Sequence, residues 1–294
     1  MNPSKVLVPV DFSPFSDFAT DYAIYLAAKY KSTITLFHVV VLYEADVDEE
    51  AHVKQLEEII KRKEENTREL FDRHRQKFLA KNIQINSVIE RGVSAANVIL
   101  DYIDEHQFDL VIMGTHGRTG IKNWIYGSVA EKIVRLSKIP VLTLHNDPGK
   151  LKISKILVPV DFSENSKHGI NEAGKIAKEF DAEVHYVHVL EQYLHPSYHV
   201  VGMESIFIIS PEIKEKTAEK LQEFCPDLPK SKFACIEGTS HATICEYAEE
   251  NDIDLIVMST KGFTGLDHLL IGSTTERVVR KAPCPVLTVG RDRH

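Results

Sequence analysis

Apolar residues along the chain alternate between short unbroken runs and longer stretches at helical spacing. Lys5–Val10 carries Val, Leu and Val bounded by Pro and Asp, the pattern of a strand buried on both faces. Ser13–Lys29 then places Phe18, Tyr22 and Leu26 at helical spacing, with Ser13 as the N-cap and Pro14 at the first helical position. Thr33–Val39 is rich in β-formers. Asp48–Lys81 predicts a long charged helix with one apolar stripe through Leu56, Ile59, Ile60, Leu70, Phe71 and Phe78. Its simplest role is a solvated helix; a stripe of this kind also suits docking of a partner. Ile83–Ile89 alternates as a strand, Ser94–His106 predicts a helix capped by Ser94, and Leu110–Met113 is a strand. Val129–Leu136 follows as a helix and Val141–Leu144 as a last strand. Strands alternating with helices predict a mostly parallel sheet, covered on both faces and wound with right-handed crossovers.

The pattern is then written a second time. KVLVPVDFS at residues 5–13 returns as KILVPVDFS at 155–163, and FDLVIMGTHG at 108–117 returns as IDLIVMSTKG at 253–262. GSVAEKIVRLSKIPVLTL at 127–144 returns as GSTTERVVRKAPCPVLTV at 272–289. A unit of this length is a domain, not a solenoid repeat. Pro148, Gly149 and polar neighbours mark a linker. The expected division is therefore 1–146 and 155–294, joined by 147–154. Only the second helix of the later copy is unclear: His195–Ser210 reads as a loop or insert before a helix over Pro211–Phe224.

Composition narrows the function. The 294 residues hold 43 acidic and 35 basic side chains, a formal charge of −8. That balance disfavours general nucleic-acid binding and docking on an anionic membrane. No apolar run is long enough for a membrane span, and the start of the chain lacks the layout of a signal peptide, so the expected location is the cytoplasm. All four cysteines, Cys225, Cys235, Cys245 and Cys284, lie in the second copy and form no CxxC pair. They read as free thiols.

The residues that carry chemistry cluster at strand ends. In open α/β sheets, ligands bind beyond the carboxyl ends of the strands where the strand order reverses. The first strand ends in Pro9-Val10-Asp11, and the fourth in Met113-Gly114, followed by Gly117 and, ten positions later, Gly127-Ser128. Gly114 and Gly117 would let the backbone turn and approach a ligand. Gly127-Ser128 opens a helix whose free N–H groups and dipole suit an anion, and the Ser128 hydroxyl adds a donor. Arg118 and Lys122 would offset phosphate charge, and Asp11 would hold a ribose hydroxyl or a metal-bound water. Neither a P-loop signature nor a GxGxxG after the first strand is present. His38 and His188, at matching strand positions, read as locally satisfied; His195-x3-His199 is a weak metal pattern broken by Pro196; His116 and His268 differ in position between copies.

PVDFS, MGTHGRTGIKNWIYGSVAEKI and PVLTL, with PVDFS, STKGFTGLDHLLIGSTTERV and PVLTV in the second copy, resemble universal stress protein domains. The first copy is similar to the nucleotide-binding branch with its G-x2-G-x9-G-[ST] motif. The resemblance implies two tandem doubly wound α/β domains, each a five-stranded parallel sheet with helices on both faces. It implies ATP or AMP as ligand, with Mg2+ compatible as its companion ion. Pro9, Val10, Asp11, Val39, Met113, Gly114, Gly117, Arg118, Gly127, Ser128 and Val129 would surround that ligand. In the second copy the corresponding positions are Asp161, Gly262, Gly272, Ser273 and Thr274. Ser259 replaces the Gly114 equivalent there, so the two clefts are expected to be unequal, the first being the principal one. Family dimers join through the last strand, which implies an intramolecular pseudo-dimer of Val141–Leu144 with Val286–Val289, or a homodimer. The expected function is stress-response regulation through nucleotide binding. A slow ATPase and a scaffold with empty clefts are the alternatives, and no catalytic base is evident.

Overall fold

The computed structural model describes residues 2–42, 50–78, 83–116, 127–147, 149, 151–191, 212–260 and 271–290. The chain forms two compact units, Asn2–Leu151 and Lys152–His294. The first contains β1 (Lys5–Pro9), α1 (Pro14–Tyr30), β2 (Thr33–Val41), α2 (Glu50–Phe78), β3 (Ile85–Gly92), α3 (Ala95–His106), β4 (Leu110–Gly114), α4 (Ser128–Leu136) and β5 (Val141–Leu144). Its strands are parallel and run in the order β3-β2-β1-β4-β5. The order reverses between β1 and β4, so the ends of these two strands open the cleft.

The second unit repeats the plan. Its elements are β6 (Lys155–Pro159), α5 (Ser166–Phe180), β7 (Glu183–Leu190), α6 (Glu212–Phe224), β8 (Ser231–Glu237), α7 (Ser240–Glu250), β9 (Leu255–Ser259), α8 (Ser273–Lys281) and β10 (Val286–Val289). Its parallel order is β10-β9-β6-β7-β8. The unclear segment 195–210 lies outside the described residues; α6 itself begins at Glu212.

The sequence explains the elements. Val6, Leu7 and Val8 point alternately to opposite faces of β1 and all are fully buried, so both faces of the sheet are covered. Ser13 caps α1, its hydroxyl accepting the Ser16 N–H at 3.3 Å, and Lys31 ends the helix in the left-handed region. Two expectations shift. β3 covers Ile85–Gly92 instead of Ile83–Ile89, because its register is set by pairing with Ile34–Val41 of β2. Ser94 occupies the N-cap of α3, but its side chain makes no cap bond. On α2, Ile60 and Phe71 are buried as expected, whereas Ile59 is 53% exposed and falls off the stripe.

One aspartate in each unit fastens the start of the central strand to its neighbour. Asp109 Oδ2 accepts from the Ser4 N–H (2.8 Å), the Ser4 hydroxyl (2.7 Å) and the Lys5 N–H (2.9 Å). Asp254 Oδ2 does the same for Ser154 N–H (2.7 Å) and Lys155 N–H (3.0 Å). Burial pushes the Asp109 carboxyl up, but the bonds from Ser4 and Lys5 outweigh it and leave it below the usual carboxylate range. Asp109→Ala is expected to destabilise the first unit by about 2–3 kcal/mol, since bonds to a charged acceptor are lost and two strand-end donors are left open. Urea unfolding checks the value.

The four cysteines are free thiols. Burial raises Cys225 to about 12 and Cys245 to about 11, which keeps both protonated and unreactive at neutral pH.

Candidate nucleotide cleft

The first unit has a cleft of about 1050 Å³ at the carboxyl ends of its strands. Pro9, Val10, Asp11, Val39, Met113, Gly114, Gly127, Ser128 and Val129 all line it. Gly117 and Arg118 lie outside the described residues, as do Lys122, Gly262, His195, His199 and His268. α2 adds a wall that the motif did not reveal, with Lys63, Asn66, Thr67 and Leu70.

PVDFS is first a structural device. Asp11 Oδ1 accepts from the Ser13 N–H (3.1 Å) and the Ser13 hydroxyl (2.6 Å), closing a tight turn. That turn holds Phe12 at φ 62°, a left-handed conformation that is costly for a bulky side chain. Its ring is thereby set against His38 (5.1 Å between centroids) and edge-on to Phe71 of α2 (5.4 Å). The second unit repeats each part: Ser163 on Asp161 (3.0 and 2.6 Å), Phe162 at φ 61°, and its ring against His188 (4.5 Å) and Phe224 (5.6 Å). His38 and His188 donate from Nδ1 to the carbonyls of Val10 and Val160, each at 2.7 Å. Both are satisfied locally.

Two helices begin on the cleft. Gly127 is the N-cap of α4 and has no side-chain cap; Ser94 likewise leaves the start of α3 without one. Ala95, Ser128, Val129 and Ala130 line the cleft from these two starts. Open first-turn N–H groups at a helix start favour an anion. Gly127 is fixed by its own N–H, which donates to the Thr115 carbonyl at 2.8 Å; a Cβ at Gly127 would stand 3.0 Å from that oxygen. Gly272 makes the same bond to Thr260 (2.8 Å), and Ser273 and Thr274 open α8 behind it.

Gly114 also answers to packing. A Cβ there would meet Phe15 of α1, at 2.8 Å from its Cβ and 2.9 Å from its carbonyl carbon and oxygen. The glycine admits the close approach of α1, besides lining the cleft. Ser259 fits the same position in the second unit, where the equivalent of Phe15 is Asn165 and the helix starts only at Ser166. The serine therefore says little about ligand binding in the second cleft.

His116 lines the cleft beside His145, with ring centroids 4.6 Å apart and the Thr115 hydroxyl 3.0 Å from each Nδ1. Burial, then the neighbouring His116, lowers the His145 imidazole to about 4. An unfolded histidine takes up its proton near pH 6.5, whereas the folded one resists until about 4. The stability from a neutral His145 is thus complete above pH 6.5 and is lost as pH falls towards 4. Between pH 7 and 4.5 the His145→Gln variant should lose about 2 kcal/mol less stability than the parent. Urea titrations at the two pH values measure the difference.

These units are tandem doubly wound α/β domains, the first with a cleft at its switch point. The universal stress protein family matches residues 3–145 and again 152–290, and the chain belongs to that family. Universal stress protein Slr1230 of Synechocystis is 26% identical over 97% of this chain and 99% of its own length. Universal stress protein MJ0531 of Methanocaldococcus jannaschii is 37% identical over 49% of this chain and 86% of its own. A universal stress protein structure from Archaeoglobus fulgidus covers 99% of this chain and 97% of that one, with a TM-score of 0.70 at 22% identity, which supports the fold.

Proposed function

We propose that the chain is a cytoplasmic regulatory protein that binds an adenine nucleotide, ATP or AMP, in the cleft of its first unit. The supporting observation is the pair of uncapped helix starts, α3 and α4, facing one cleft with Asp11 between the strand ends. The apolar strand-end residues Val10, Val39 and Met113 suit a base, and the N–H groups of Ser128 and Val129 suit phosphate oxygens. Among the described residues no group of three His, Cys, Asp or Glu forms a metal site. Mg2+ would enter with the phosphates, with Asp11 as the cleft carboxylate nearest in kind to its water shell. Mass spectrometry of nucleotide released from purified protein, with thermal shift in millimolar ATP and AMP, tests the reading; no retained nucleotide and no shift would refute it.

The family resemblance also supports pairing of the two units through their last strands, β5 and β10, which would protect two sheet edges. Crosslinking of a Thr143→Cys, Thr288→Cys variant within one chain is the check, with light scattering to detect a homodimer.

A further inference from the structure

The two units serve as internal controls for each other, with the same strand ends and helix starts but different residues upon them. In the first cleft, Val41 ends β2 and Ala95 begins α3; both line the cavity. Pro9 pairs with Phe37 in one unit and Pro159 with Val187 in the other, a register that puts Glu191 where Val41 stands. Ser240 begins α7 as Ala95 begins α3. Here the units part: Glu191 Oε1 accepts the Ser240 N–H at 2.6 Å. The helix start that Ser94 leaves without a side-chain cap in the first unit is covered by the chain's own carboxylate in the second. The long-helix wall differs too. Phe224 meets Phe162 edge-on as Phe71 meets Phe12, so Lys220, one turn earlier, replaces Thr67. Thr67 is buried against the cleft, whereas the Lys220 ammonium lies over the Phe162 ring, 4.3 Å from its centroid.

We propose that Glu191 closes the second cleft to adenine nucleotides, so that the chain takes up one nucleotide instead of two. This rests on reading the first cleft as a nucleotide site. The carboxylate makes the contact that an anionic ligand would otherwise make at that helix start, and a ligand must displace it against like charge. A charged, hydrated group also stands where the first unit offers a valine wall, and Lys220 fills space that Thr67 leaves open.

Calorimetric titration of the full chain with ATP is the test. The parent should bind one equivalent. Val41→Glu should weaken that site by at least ~10-fold, about the worth of one lost contact to a charged group. Glu191→Val, alone or combined with Lys220→Thr, should raise the stoichiometry to two. Circular dichroism melts establish that each variant is folded. Two equal sites in the parent would overturn the inference and leave the nucleotide reading standing. So would a single site that persists in folded Glu191→Val and in its combination with Lys220→Thr, or an unchanged site in Val41→Glu. No site in the parent would remove the nucleotide reading and this inference with it.

Discussion

Gly127→Trp is expected to lower nucleotide affinity of the first unit by at least ~100-fold, about 2.7 kcal/mol, with secondary structure retained. Gly127 has ordinary dihedrals for its position, φ −66° and ψ 129°, so the substitution introduces no backbone strain. The effect comes from space. Its Cβ would lie 3.0 Å from the Thr115 carbonyl, and the indole must then leave through the cleft, across the first turn of α4. It would cover the N–H groups that a phosphate needs and crowd the Gly127 N–H to Thr115 bond. Titration calorimetry gives the affinity; a circular dichroism melt separates loss of binding from loss of fold.

Gly114→Ser should behave in the opposite way, with stability affected first. A Cβ at 2.8–2.9 Å from Phe15 includes contacts with backbone atoms, which cannot rotate aside. α1 must shift on β4, and overpacking of this kind costs about 1–3 kcal/mol. For a unit of this size, that is a fall in Tm of about 3–10 °C. Ser259→Gly in the second unit relieves no such clash, and its backbone-entropy cost is at most ~1 kcal/mol. Paired thermal melts of the two variants test the asymmetry. Equal effects would mean that the different helix starts, Pro14 and Ser166, do not account for the glycine.

The sequence made the fold legible because its strongest signals are local and occur twice. The apolar runs at residues 5–10 and 110–113, the caps around Ser13, and the duplicated PVDFS and PVLT blocks each need only their neighbours to be understood. The cleft was legible for the same reason: its floor is made of strand ends, and strand ends are short motifs. What escaped depends on partners distant in the chain. Asp109 clasps Ser4 from 105 positions away, and nothing around it in the sequence announces the bond. β3 is placed by its pairing with β2, which shifted it beyond its own alternation. Gly114 looked like a ligand glycine because the sequence does not say which neighbour comes close. The Val41 to Glu191 difference was visible in the aligned copies, but its meaning required Ser240, which the chain brings close from 49 positions onward.

The Nδ1 bonds of His38 and His188 have a spectroscopic consequence. Each nitrogen faces a carbonyl oxygen at 2.7 Å, an atom that can only accept, so each ring carries a proton at Nδ1 held in a hydrogen bond. Such a proton gives each ring a resonance of its own. His38 borders the first cleft and lies tilted against Phe12, while His188 occupies the matching place on Phe162. A molecule entering one cleft would move one resonance and leave its twin as an internal standard. The duplication thus equips the chain with a matched pair of native reporters, one in each half.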